Sequence, residues 1–195
     1  MKKSETPREM PNSEELKGEL KRVGFKKQYK DIIKSTFFSL VAVAAVAVLI
    51  ATLWLPVFQI YGSSMTPTLS DGEIAIAVKT HNFKTGDIIA FYLNNKILIK
   101  RVIAGPGDWV NIDEEGNVFV NNEQLDEPYV TEKAFGDCDI ELPYQIPESR
   151  VFVMGDHRKV SLDSRNTAIG CVADEQVVGK ILFKVWPLKD IGTVG

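Results

Sequence analysis

Residues 36–58 carry no charged side chain, and no other property of this 195-residue chain restricts its fold so sharply. The run is rich in Val, Ala, Leu and Phe and is apolar on every face, so a helix made from it offers no polar side to water. At ~1.5 Å per residue, about 20 helical residues cross a hydrocarbon core of ~30 Å. A cleavable secretory segment has a shorter apolar stretch, ~7–15 residues, followed by a small-x-small site. Here the run is longer and closes on Trp54-Leu55-Pro56, with no such pair beyond it. The expectation is one transmembrane helix over 36–56, separating a tail of residues 1–35 from a domain of residues 57–195.

Charge is divided along the same boundary. Residues 1–35 hold ten Lys/Arg against six Asp/Glu, whereas residues 59–195 hold thirteen against twenty. Lys21, Arg22, Lys26, Lys27, Lys30 and Lys34 flank the apolar run, opposed only by Asp31. Positive-inside bias puts this tail in the cytoplasm and the domain outside, with Trp54 at the outer interface. A net charge of −3 invites no nucleic-acid partner. Residues 1–20, with Pro7 and Pro11, read as disordered, while residues 14–35 have a helical pattern that extends the membrane helix inward. Cys138 and Cys171 both fall in the outer domain, where a disulfide is chemically permitted, and the sequence leaves their pairing open. Neither has metal-ligand spacing, so no metal and no cofactor is expected.

From residue 57 onward the signals are those of strands. Residues 57–61, 73–78, 87–93 and 96–104 are strand-like, the last two joined by Asn94-Asn95. Gly105-Pro106-Gly107-Asp108 stops the fourth segment. Residues 109–112 and 118–120 predict a hairpin, and residues 150–154 and 177–186 two further strands. Residues 121–149 read as a long polar excursion. The fold class is mainly β: one extracytoplasmic, barrel-like sheet domain behind a single N-terminal helix.

Two features of this β body carry chemistry. The stretch Gly62-Ser63-Ser64-Met65-Thr66-Pro67-Thr68-Leu69 is rich in hydroxyls. Strand alternation places Lys100 on one face with Leu98, Val102 and Ala104. A lysine among such neighbours either snorkels its ammonium to water or is desolvated, which lowers its pKa by as much as ~3–5 units. A neutral lysine can accept a serine proton, the Ser-Lys form of nucleophile activation. Ser64 is the candidate nucleophile and Lys100 the candidate base.

Three motifs in order resemble those of bacterial type I signal peptidases, in the compact single-anchor form of Gram-positive bacteria. They are Ser64-Met65-Thr66-Pro67-Thr68-Leu69, then Lys100-Arg101-Val102-Ile103-Ala104-Gly105-Pro106-Gly107-Asp108. The third is Gly155-Asp156-His157-Arg158 followed by Ser161 and Asp163-Ser164-Arg165. The resemblance implies a serine endopeptidase of the bacterial cell membrane that removes signal peptides from preproteins after Ala-x-Ala-like sites. Ser64 would attack, with Lys100 as general base. Ser161 would orient the lysine amine, Asp163 and Arg165 would support Ser161 as a salt-bridged pair, and Asp156 would shape the same neighbourhood. Phe58, Ile60, Met65, Leu69, Leu98 and Ile99 would line shallow pockets for small side chains. Some relatives have a serine where this chain has Gly62, so the oxyanion would rely on the Ser64 backbone N–H, the Gly62–Ser63 segment and the Ser63 hydroxyl. The implied partners are signal peptides and the lipid bilayer, with the protein a monomer.

Three alternatives remain beside this reading. Self-cleaving Ser-Lys repressors share a β-rich domain but need a DNA-binding module where this chain has an anchor. A sortase-like transpeptidase would use Cys171, with His157 or His81 and Arg165, but the local setting and order of these residues do not fit. A non-catalytic anchored binding domain is the third, and the filled catalytic positions weigh against it.

Overall fold

The computed structural model describes residues 12–194. Helix α1 spans Ser13–Trp54, and every described side chain on it is exposed. The carbonyl of Asn12 accepts from the Leu16 N–H at 3.0 Å and begins the helix. Ser13 and Glu14 then place a hydroxyl and an acid where the helix dipole favours them. No proline follows until Pro56, so the helix runs unbroken, and Arg22 pairs with Glu19 at 3.2 Å on its surface. Residues 13–20 are therefore helical where disorder was expected; the rest of that expectation lies outside the described residues. By length and composition α1 is able to cross a membrane.

Residues 51–195 form a separate compact unit. Its strands are β1 (Val57–Gln59), β2 (Ile74–Val78), β3 (Ile88–Leu93), β4 (Lys96–Ala104), β5 (Trp109–Ile112) and β6 (Val118–Val120). They continue as β7 (Glu123–Gln124), β8 (Tyr144–Gln145), β9 (Arg150–Met154), β10 (Val172–Ala173), β11 (Val177–Trp186) and β12 (Gly192–Thr193). One sheet runs in the order β1-β2-β11-β3-β4-β9-β10, with β12 also on β11; a smaller one runs β7-β6-β5-β8. Every pairing among the described residues is antiparallel. The fold is mainly antiparallel β behind one apolar helix, and the larger sheet stays open instead of closing into a barrel.

Local chemistry explains the connections. Asn94 and Asn95 have φ of 45° and 64°, the left-handed pair that a two-residue hairpin needs, and Leu93 faces Lys96 across the turn. Strand β3 is buried on both faces: Ile88 and Ala90 enter one core cluster, Ile89 and Phe91 another. That is why it reads as a continuous apolar run instead of an alternation. Leu98 and Val102 pack in the cluster of Ile89 and Phe91, as alternation requires. Ala104 departs from it, because a register shift against β9 between Val102 and Ala104 sends it into the cluster beneath β5 and β6. The polar excursion 121–149 is partly ordered as strand, contributing β7 and β8 to the smaller sheet.

Two strand edges remain open. Among the described residues, strand β1 pairs only with β2, and residues 96–100 of β4 pair only with β3, since β9 joins β4 from Arg101 onward. Alternating antiparallel steps from β1 to β4 leave these two strands running in the same direction. Both border one cavity.

Candidate active site

Ser64 sits in the loop between β1 and β2, and that loop is tied at several points. The Gly62 N–H donates to Asp71 Oδ1 at 2.7 Å, and the Leu69 N–H to the Met65 carbonyl at 2.9 Å. Met65 and Leu69 bury their side chains in the first core cluster and anchor the loop from beneath. Thr66 donates both its N–H and its hydroxyl to the Ser63 carbonyl. Thr66 Oγ1 also lies 3.1 Å from His157 Nδ1, a hydrogen bond whose donor is set by the imidazole tautomer. The His157 N–H also donates to the Ser64 carbonyl at 3.1 Å. His157 thus holds the loop, and its ring is engaged with Thr66.

Gly62 has φ of +85°, a left-handed conformation in which a serine would be strained. Because its N–H is committed to Asp71, Gly62 is not a free oxyanion donor as was expected. The Ser64 N–H, by contrast, donates to no group among the described residues.

Lys100 is 4% exposed, and its Nζ lies 2.7 Å from Ser64 Oγ. Burial pushes the lysine pKa below its ordinary value of 10.5. The carboxylates of Asp163 and Asp156 pull it partly back, and the Arg165 guanidinium adds to the lowering. Desolvation is the largest influence, so burial makes the ammonium easier to deprotonate next to the serine hydroxyl.

Around this pair stand three buried ion pairs. Arg165 reaches both carboxylate oxygens of Asp163, at 2.8 and 2.9 Å, and both side chains are fully enclosed. Asp163 Oδ2 also accepts the Gly155 N–H at 3.0 Å. Arg101 forks onto Asp156 at 2.8 and 2.7 Å, and Thr68 donates to the same carboxylate at 2.5 Å. Arg158 pairs with Glu127 from the excursion, and Tyr129 bonds to Glu127 while stacking under the Arg101 guanidinium at 3.9 Å. The sequence reading missed Arg101, Arg158, Glu127 and Tyr129. Two of these stand inside its motifs beside Lys100 and Asp156; nothing local distinguishes Glu127 in a polar loop.

Ser161 is buried, yet its Oγ makes no hydrogen bond among the described residues. The bond to the Lys100 amine implied by the resemblance is therefore not formed in this structure. Ser161 Oγ packs instead against Gly155, where an added Cβ would overlap it and lie 2.5 Å from the Ser64 carbonyl oxygen. Gly155 is what lets the third motif approach the Ser64 loop.

The cavity holds about 590 Å³ and is lined by Phe58, Ile60, Ser64, Met65, Leu98, Ile99 and Lys100. Gln59, Tyr61, Gly62, Asn95, Lys96 and Ile97 complete it. Leu69, expected on its wall, is fully buried in the core cluster and does not reach it. Both cysteines are free. Cys171 is buried, which pushes its thiol up to about 11 and leaves little thiolate for a transpeptidase nucleophile.

A serine hydroxyl beside a buried amine, bordering a cavity lined by two strands, is an arrangement chemically able to support nucleophilic acyl transfer. Residues 32–186 match the family described as signal peptidase, peptidase S26. Signal peptidase IB of Staphylococcus aureus is 36% identical over 153 residues, covering 68% of this chain and 78% of that protein. Signal peptidase I of Bacillus licheniformis is 33% identical over 178 residues, covering 81% and 93%. A crystal structure of a signal peptidase I from Enterococcus faecalis aligns with 27% identity and a TM-score of 0.43, covering 51% of this chain and 96% of that one. The chain belongs to the signal peptidase family, peptidase S26. It is a serine peptidase, a hydrolase that removes signal peptides.

Proposed function

We propose that Ser64 and Lys100 form the catalytic dyad of a membrane-anchored endopeptidase that cuts exported preproteins after Ala-x-Ala-like sites. The observation that carries this reading is the 2.7 Å contact between Ser64 Oγ and a buried lysine whose charge burial disfavours. The neutral amine takes the Ser64 proton as Oγ bonds to the scissile carbonyl carbon. The resulting oxyanion is met by the Ser64 N–H, with the Ser63 hydroxyl the nearest neighbour in sequence able to add a donor. Collapse breaks the C–N bond, and the Lys100 ammonium gives its proton to the departing amine of the mature chain. Water then attacks the acyl-enzyme, Lys100 takes its proton, and release of the acid end of the signal peptide restores the Ser64 hydroxyl.

The substrate lies extended between the open edges of β1 and β4, adding a strand to the sheet. In an extended strand the first and third residues before the cut point the same way. They face the apolar wall made by Ile60, Met65, Phe58, Leu98 and Ile99. Small side chains fit there. Helix α1 crosses the bacterial cell membrane once, with the basic flank cytoplasmic and residues 57–195 outside as a monomer, where signal peptides and the bilayer are its partners.

Purified protein in detergent is expected to cut a preprotein after Ala-x-Ala, and Ser64→Ala and Lys100→Ala are each expected to abolish the cut. Lys100→Arg fails as well, because guanidinium does not deprotonate. Full activity in Lys100→Ala overturns the dyad.

A further inference from the structure

The cavity does not end at the apolar pockets. Its far end is walled by Asn95 and Lys96, at the tip of the β3–β4 hairpin. Lys96 is exposed and has no salt-bridge partner among the described residues, whereas Lys180 and Lys184 on β11 are paired with Asp87 and Glu73. The cavity thus has a neutral, apolar middle and one uncompensated positive charge at its distal mouth. The inward wall of β4 leads from that charge directly to Lys100 at the dyad.

We infer that Lys96 selects substrates by charge, favouring an acidic and disfavouring a basic side chain about five residues before the cleaved bond. This rests on the proposed use of the cavity as the site for the signal-peptide side of the cut. Lys96 and Lys100 are four residues apart on one strand, about 13 Å at ~3.3 Å per residue. A substrate strand alongside β4 has the same rise. With its first residue before the cut at Ser64 and Lys100, its fifth lies level with Lys96. A flexible lysine stem extends the reach to the fourth and sixth. Ile97, Leu98 and Ile99, which lie between, offer no charge to neutralise it. At an exposed position one charge pair changes a rate by about 1.5- to 5-fold, so exchanging an acid for a base spans roughly twice that range on a logarithmic scale.

The test uses the full-length protein in detergent and synthetic preprotein peptides that share one Ala-x-Ala site. They carry a single Glu, Gln or Lys at the fourth, fifth or sixth residue before the cut. The readout is the ratio of kcat/KM for the Glu peptide to that for the Lys peptide. Wild-type protein is expected to prefer Glu by about three- to tenfold, most strongly at the fifth position and less at high salt. Lys96→Ala brings the ratio near one, and Lys96→Glu inverts it. Being a ratio on one protein, the readout is independent of the amount of folded enzyme. A wild-type preference for Lys, or a ratio that Lys96→Ala leaves unchanged, overturns the charge selection while leaving the peptidase reading intact. No cleavage of any peptide by wild type overturns both.

Discussion

Lys100 bears a burial cost that the proposed dyad requires. Its folded pKa is depressed chiefly by burial, so between that value and 10.5 the unfolded chain binds more protons than the folded one. Stability attributable to this residue therefore rises with pH through that window and is lowest in acid, where a charged amine must be held in a dry site. Lys100→Met is expected to be more stable than wild type at low pH. The gap should narrow towards pH 10.5 and close above it, as followed by thermal melts in a series of buffers. With Lys100 as the proposed base, activity is expected to follow the same titration with the same sign, falling as acid protonates it. A gap that is constant across pH would show that the lysine is already solvated. Gly155 is the second residue at which little can change. Gly155→Ala drives a methyl into Ser161 Oγ and the Ser64 carbonyl. A loss of about 1–3 kcal/mol of stability is expected from overpacking of this kind, together with a large drop in kcat because the displaced atoms belong to the nucleophile loop.

Arg101 binds the Ser64 loop, β4 and the segment 155–165 together through Thr68 and Asp156, while Arg158 and Arg165 brace that segment against residues 121–149. Arg101 leaves β4 next to the lysine and holds Asp156, and Arg165 holds Asp163 while donating to the carbonyls of Phe135 and Arg158. Removing one partner strands a buried charge, so Arg165→Met is expected to cost about 3–5 kcal/mol. Adding Asp163→Asn to that variant removes the stranded carboxylate and is expected to recover part of the loss in a chemical-denaturation cycle. A double variant no more stable than the single one would mean that Asp163 is satisfied by the Gly155 N–H alone. The strands of this framework were legible in the sequence because they are local. Lys96–Ala104, Arg150–Met154 and Val177–Trp186 are bounded by turns whose Asn, Gly and Pro residues have one physical reading each. Lys100 in β4 and Ser64 in the loop before β2 drew notice from the misplaced charge and the hydroxyl-rich stretch, but their 2.7 Å proximity was not legible in the sequence. What escaped depends on contacts distant in the chain. The pairing of Arg158 with Glu127 spans 31 residues and involves a glutamate that looks like any solvated one. The register shift that removes Ala104 from the face of Val102 depends on β9, and the loss of Leu69 from the cavity wall depends on how the loop sinks into the core.

At the scale of the whole molecule, the chain joins a helix with no buried described side chain to a domain with its own core. The domain also keeps apolar groups at its surface. Val57, Ile76 and Phe183 are paired across three strands, so they share a face, and Tyr61, Trp186, Leu188 and Ile191 are exposed nearby in the fold. Aromatic and aliphatic groups left in this way suit the boundary between headgroups and acyl chains. A chain beginning at residue 56 has the complete core, so it is expected to unfold cooperatively and to cut short soluble peptides at close to the full-length rate. On a preprotein embedded in vesicles it should be slower, by about 10²-fold or more, because the anchor no longer confines enzyme and substrate to one surface. Some attachment should persist through the apolar surface of the domain. Replacing Trp186 and Leu188 together by Ser is expected to weaken co-sedimentation of the truncated chain with vesicles by at least about tenfold, since each buried side chain of this kind is worth about 1.5–3 kcal/mol. Unaltered co-sedimentation would place the contact elsewhere, and equal rates of the truncated chain on embedded and soluble substrates would show that confinement by α1 contributes nothing to the rate.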